Sequence, residues 1–234
     1  MRRSHEGYHR QADIWMPSEA TRRATVIGAG GIGSNAAFTI ARMGVGTVLG
    51  DSPEDGTLTV IDGDQVEAHN LPNQLYGEKD IGKPKVEALK SLVEDQTGLS
   101  INAIPQMWDG EKLEGLVISG LDSMAIRKRL WEETIKYNPK IPLYVDGRMG
   151  GELALIYAVR PLDPEDVKLY EDELNTDEDA PDLPCTARAI IYNTSMIGSL
   201  IANLVKKWSS NQEFPRELYF DFVTLSIVAR DVRL

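Results

Sequence analysis

The feature that most constrains this chain is a run of glycines, Gly28-Ala29-Gly30-Gly31-Ile32-Gly33. Just before it, residues 24–28 read as a short buried strand. Just after it, residues 32–43 read as a helix, with Ile32, Ala36, Ala37, Ile40 and Met43 near a 3.6-residue period. Gly44 and Gly46 stop that helix. Strand, glycine turn and helix together form the fingerprint of a dinucleotide-binding unit. Gly28 allows the tight turn, Gly30 lets backbone approach a phosphate, and Gly33 lets the helix pack close to the strand. The helix N-terminus then offers free N–H groups to an anion. NAD, FAD and ATP all fit this geometry, so the loop alone does not choose the ligand.

The alternation continues. Residues 58–62 read as a second buried strand, 83–94 as an amphipathic helix with Pro84 in its first turn, and 101–104 and 116–119 as strands. Residues 125–137 read as a helix and 141–145 as a further strand. This pattern predicts an α/β, Rossmann-like, doubly wound sheet, mainly parallel. Asp62 ends the second strand, where it is placed to accept bonds from ribose hydroxyls. After Gly150 the pattern changes. Residues 152–160 read as an antiparallel strand, 187–208 as one long helix, and 219–229 as a closing strand-like stretch. Ten of the twenty residues 163–182 are acidic and two are proline, so this stretch is read as a mobile loop. We read residues 1–234 as one domain, with residues 1–23 as an N-terminal arm and 163–186 as the acidic loop.

Composition narrows the function classes. With 25 Lys+Arg against 36 Asp+Glu the formal net charge is −11, which disfavours broad binding to a phosphate backbone and argues for no nucleic-acid partner. No apolar run approaches the roughly 18 residues of a membrane span, and no apolar stretch follows Arg2 and Arg3 as a signal peptide requires. One cysteine, Cys185, excludes an internal disulfide and a Cys-only zinc site. A reducing, cytoplasmic compartment and no structural zinc are the expectation.

The run Val60-Ile61-Asp62-Gly63-Asp64-Gln65-Val66-Glu67-Ala68-His69-Asn70-Leu71-Pro72-Asn73-Gln74, followed by Asp80-Ile81-Gly82-Lys83-Pro84-Lys85, resembles the ThiF/MoeB/HesA family, relatives of ubiquitin-activating enzymes. Tyr8-x-Arg10-Gln11, Ser119-Gly120-Leu121-Asp122-Ser123 with Arg127, and Ile197-Gly198-Ser199-Leu200-Ile201-Ala202 extend the resemblance over most of the chain. It implies adenylation of the C-terminal carboxylate of a ubiquitin-like or sulfur-carrier β-grasp protein with ATP and Mg²⁺, by a homodimer. Two anions must then approach each other, so catalysis is positioning and charge neutralisation.

By resemblance, Gly28, Gly30, Gly31, Gly33, Asp62, Asp64, Asn70, Asn73, Gln74 and Lys85 bind the nucleotide. Lys85 holds phosphate oxygens, and Arg10 is an arginine finger reaching the other subunit's site. Asp122 holds Mg²⁺, a role compatible with capping the helix that follows. Cys185 is placed to take the activated acyl group as a thioester. The acidic loop is the expected crossover loop over the partner's tail, with charges suited to a basic partner surface. The sequence departs from the family pattern at Asn73, where an arginine is expected, in the missing Cys-x-x-Cys pair, and in an inserted turn over residues 50–56. The rival readings are adenylation of a peptide or small carboxylate, a catalytically silent subunit of a heterodimer, and a nicotinamide dehydrogenase. The last leaves Lys85 and Gln74 unexplained.

Overall fold

The computed structural model describes Trp15 and residues 18–46, 57–176 and 190–233. Eight strands form one sheet: β1 (Arg23–Ile27), β2 (Thr57–Ile61), β3 (Asn102–Ile104), β4 (Leu116–Ser119), β5 (Tyr144–Gly150), β6 (Leu153–Val159), β7 (Phe214–Asp221) and β8 (Ser226–Arg233). Their spatial order is β3-β2-β1-β4-β5-β6-β7-β8. Pairs from β3 to β5 are parallel, and pairs from β5 to β8 are antiparallel. The predicted Rossmann-like sheet is present, with its antiparallel continuation.

Among the described residues five α-helices cover the two faces: α1 (Gly31–Met43), α2 (Lys85–Thr97), α3 (Met124–Leu130), α4 (Pro164–Thr176) and α5 (Ile191–Ser209). A π turn, Trp131–Ile135, extends α3. One core layer packs Ile32, Ile40, Leu89, Ile197 and Ile201 onto the sheet, so α1, α2 and α5 share a face. The other packs Leu130, Trp131, Ile135, Val167, Tyr170 and Leu174, which places α3 and α4 opposite. Along α5, Gly198 lets the helix approach α1: a Cβ there would stand 2.7 Å from the Asn35 side chain.

Three expectations are corrected. Residues 164–176 are a helix rather than part of a loop. Asp163 caps it, its Oδ1 accepting from the Glu165 N–H at 2.9 Å, and Pro164 occupies the first turn, where a missing N–H costs nothing. Val167, Tyr170 and Leu174 are its buried stripe. The remainder of the acidic stretch lies outside the described residues. The single closing stretch is two strands joined by a turn in which Asp221 Oδ1 accepts from the Val223 and Thr224 N–H groups. The strand expected at 141–145 instead starts at Tyr144 and runs on to Gly150.

Candidate active site

The strand order fixes where a ligand site belongs. The chain leaves β1 toward β2 on one side, and β4 pairs with β1 on the other, so the crevice between β1 and β4 is the switch point of the sheet. The glycine loop sits there. Gly28 has φ +88° and packs on the turn after β4: a Cβ would lie 2.9 Å from the Gly120 carbonyl oxygen. At Gly33 a Cβ would lie 1.8 Å from the Gly28 oxygen, and at Gly31 it would lie 2.7 Å from Thr194. Around a Cβ at Gly30 there is open space to 4 Å. Three glycines are therefore demanded by packing, and Gly30 alone leaves room for an incoming group. The N–H groups of the first turn of α1 bound that room.

Asp62 follows β2 and is nearly buried. Its Oδ2 accepts from the Ala29 N–H at 2.6 Å, and its Oδ1 from the Asp64 N–H at 2.8 Å. It thus ties the second strand end to the glycine loop. Burial pushes its carboxyl above the ordinary value, against those two bonds and the nearby Lys85. Tyr76 clamps the same loop, donating its hydroxyl to the Ala29 carbonyl at 2.6 Å.

Lys85 opens α2 and is 7% exposed. Its Nζ donates to Asp64 Oδ2 at 2.8 Å, which uses one of three donors. The backbone fixes this pair from below: Lys85 N–H donates to the Asp64 carbonyl, and Val66 N–H to the Lys83 carbonyl, both at 2.9 Å. Asn70 is buried, and its Oδ1 accepts from the Glu67 N–H at 2.8 Å. Gln74 is buried too, with no protein partner for its Oε1 among the described residues. Asn73 offers its main-chain oxygen to the Thr194 hydroxyl at 3.0 Å, and Asn35 Nδ2 donates to that same hydroxyl at 3.3 Å. These contacts weld the Asn70–Gln74 segment to α1 and α5.

Asp122 follows β4 and is exposed, with no partner among the described residues. It does not cap α3: Ser123 does, its Oγ accepting from the Ile126 N–H at 3.3 Å. No group of three His, Cys, Asp or Glu residues suited to a metal ion occurs among the described residues. The exposed Asp122 carboxylate is one oxygen donor of the kind that can bind magnesium together with phosphate oxygens. Arg10 and Cys185 lie outside the described residues.

The sequence reading missed Asp146, in the middle of β5 and fully buried. Arg127 Nε donates to its Oδ1 at 3.0 Å, Arg148 Nε to its Oδ2 at 2.8 Å, and the Tyr170 hydroxyl to Oδ2 at 2.9 Å. Ser119 Oγ also donates to it. Burial works against its charge, yet the two guanidiniums outweigh that and hold its carboxyl below the ordinary value. The available signal was Asp146-x-Arg148, two charges two apart and so on one face of a strand otherwise apolar.

No helix among the described residues is long and apolar enough to cross a membrane. A comparison with curated proteins finds similarity to the tRNA threonylcarbamoyladenosine dehydratase of Bacillus subtilis (strain 168), 32% identical over 127 residues, covering 50% of this chain and 45% of that protein. It also finds the sulfur carrier protein ThiS adenylyltransferase of Escherichia coli (strain K12), 28% identical over 139 residues, covering 56% and 51%. The chain thus spans about half the length of these relatives. Among solved structures, E. coli MccB matches with a TM-score of 0.67 at 17% identity, over 92% of this chain and 63% of that one. PaaA matches with 0.64 at 16% identity, over 92% and 65%. These distant likenesses bear on the fold. The ThiF family model matches residues 18–233, nearly everything from the first described turn to the last strand, and the chain belongs to the ThiF family.

Proposed function

We propose that this chain uses ATP to adenylate a carboxylate, the acyl oxygen attacking the α-phosphorus and pyrophosphate leaving. The observation that carries the reading is the open room at Gly30, with a buried lysine near one flank and a free carboxylate on the strand end at the other. Its membership of the ThiF family and its similarity to a ThiS adenylyltransferase support it.

In this proposal the α1 N-terminus and the Gly30 backbone receive the phosphates. Asp62 and Asp64, with Asn70, Asn73 and Gln74, wall the nucleotide. Lys85 exchanges its bond to Asp64 for a phosphate oxygen, an exchange made easy because Asp64 is half exposed and readily solvated. Asp122 would hold Mg²⁺, which would supply charge neutralisation at the phosphates. Arg10 of a second copy supplies the charge that Asn73 does not, in a homodimer. The edge strand β8, with no partner on its outer side among the described residues and with Ile227, Val228 and Val232 exposed, supports an assembly between copies. The acyl substrate is the C-terminus of a ubiquitin-like or sulfur-carrier protein, and the Cys185 sulfur attacks the acyl-adenylate carbonyl to form a thioester, releasing AMP.

ATP–pyrophosphate exchange dependent on a β-grasp partner tests the core of the proposal. Trapping of a thiol-sensitive adduct, lost in Cys185→Ala, tests the transfer. Absence of exchange together with ATP affinity unchanged by Lys85→Ala would overturn the reading. A second reading, adenylation of a peptide or small carboxylate, draws its weight from Asn73, which stands where the family pattern has an arginine. Mass spectrometry of the adenylated product separates the two.

A further inference from the structure

We propose that Arg127 is a positioning residue: clamped by buried Asp146, it fixes the turn that presents Asp122 to the nucleotide crevice. The proposal rests on the adenylation reading and assigns it a residue that does not itself touch the nucleotide.

The chain of contacts is continuous. Arg127 lies on α3 and is 3% exposed. One end of its guanidinium, Nε, donates to Asp146. The other end, Nη2, donates to the carbonyl of Leu121, the residue before Asp122. Ser119, two residues before Leu121, donates directly to Asp146. The backbone leading to Asp122 is therefore held on both sides of Gly120 from a single carboxylate. Gly120 between them is pressed against the glycine loop, where its Cβ would fall 2.7 Å from the Gly33 nitrogen. The loop that takes phosphate and the turn that carries Asp122 are thus in contact, and Asp146 sets one against the other.

Asp122 makes no side-chain bond of its own among the described residues. Its location comes wholly from its backbone, which makes that backbone's tether decisive. Stability alone is a poor reason for the arrangement. Burying one carboxylate with two guanidiniums is costly, and well-packed apolar residues often serve stability as well or better. What the ions supply is direction: a planar fork that spans two acceptors at fixed angles, which neither an apolar side chain nor lysine provides. The group also carries two positive charges against one negative, a net positive field beneath a site proposed for anions.

The test is a double-mutant cycle between Arg127→Lys and Asp122→Asn, read by calorimetric titration with ATP, in magnesium and in EDTA. The quantity read is the gain in ATP affinity that magnesium gives. Asp122→Asn removes that gain. Arg127→Lys removes most of it, about tenfold, within the coupling range of residues in one network, while ATP affinity in EDTA stays within about threefold. The double variant is then no worse than Asp122→Asn alone. Independent, multiplicative losses overturn the positioning role, as does a full magnesium gain in Arg127→Lys. Should Arg127→Lys not fold, Asp146→Asn replaces it in the same cycle with the same expectation. Wild-type protein that binds no ATP overturns the adenylation reading, and this inference with it. Binding with additive losses overturns the inference alone.

Discussion

Gly30→Ala and Gly33→Ala place the same methyl group three residues apart, and the structure assigns them opposite consequences. At Gly33 the new Cβ would stand 1.8 Å from the Gly28 carbonyl oxygen. Real contacts of this kind do not fall much below 3 Å, so α1 must move off β1 by more than an ångström. Neither side can yield cheaply, because both are backbone and α1 carries Ile32, Ala36, Ala37 and Ile40 into the core. Overpacking of this sort costs about 1–3 kcal/mol and sometimes more. For a chain of this size that is a fall in melting temperature of roughly 2–12 °C. At Gly30 φ is −73°, an ordinary value, and nothing lies within 4 Å. Alanine there gains about 0.4–1 kcal/mol through the unfolded state and loses a few tenths or more as a helix cap, so the melting temperature should hardly move. The methyl would instead stand where a phosphate must approach, displacing one or more charge-assisted bonds of about 1.5–3 kcal/mol each. ATP affinity should fall roughly 10- to 100-fold. Thermal melts paired with calorimetric titration report both quantities on the same samples. Gly30→Ala protein that melts normally and binds ATP as the wild type does would refute the assignment of the anion site to this loop.

Three further outcomes are expected. Lys85→Ala should lower ATP affinity about 10-fold or more while shifting stability by under about 1 kcal/mol, because its partner Asp64 is half exposed; titration and melting check both parts. Asn193 is fully buried, with neither amide atom bonded to a protein group among the described residues, so Asn193→Leu, similar in shape, should raise the unfolding free energy by about 1–3 kcal/mol, and denaturant titration showing a loss would contradict that. Because the carboxyl of Asp146 is held low, its contribution is complete above about pH 3.9, the ordinary value, and disappears as pH falls through its lowered value. The stability gap between wild type and Asp146→Asn should accordingly be widest near neutrality and shrink in acid; a gap independent of pH would show that the ionised carboxylate is not what holds the guanidiniums.

The parts of the fold that were legible in the sequence share a physical cause. Around Gly28–Gly33, local propensity, turn chemistry and burial all favour one arrangement, and the strand, loop and helix stand where the residues indicate. The α4 segment was misread because acids and Pro164 dominate its composition, while its fold depends on only three buried residues, Val167, Tyr170 and Leu174. Their i, i+3, i+7 spacing and the Asp163-Pro164 start were visible but outweighed. The β7–β8 turn carries no glycine or proline; Leu225 adopts φ 56° and Asp221 closes the bend, a device that composition does not announce. At the candidate site, Asp62, Lys85, Asn70 and Gln74 were legible in the sequence as candidates because each lies in a local motif. The Asp146 cluster was not, because it joins β4, α3, β5 and α4, and its members acquire meaning only when those elements meet.

The docking of α5 on α1 has a consequence for biosynthesis. Thr194 presses on Gly31 and bonds to Asn73, and Gly198 seats on Asn35, so the rear wall of the glycine loop is made by residues some 160 positions later in the chain. As the chain emerges from the ribosome, β1 and α1 appear early but lack that wall until α5 has left the exit tunnel. Contacts this distant in sequence form late. A nascent chain halted before α5 should therefore be unable to retain ATP, and its exposed α1 should be a target for chaperones. On the proposed reading, nucleotide capture waits for the emergence of α5.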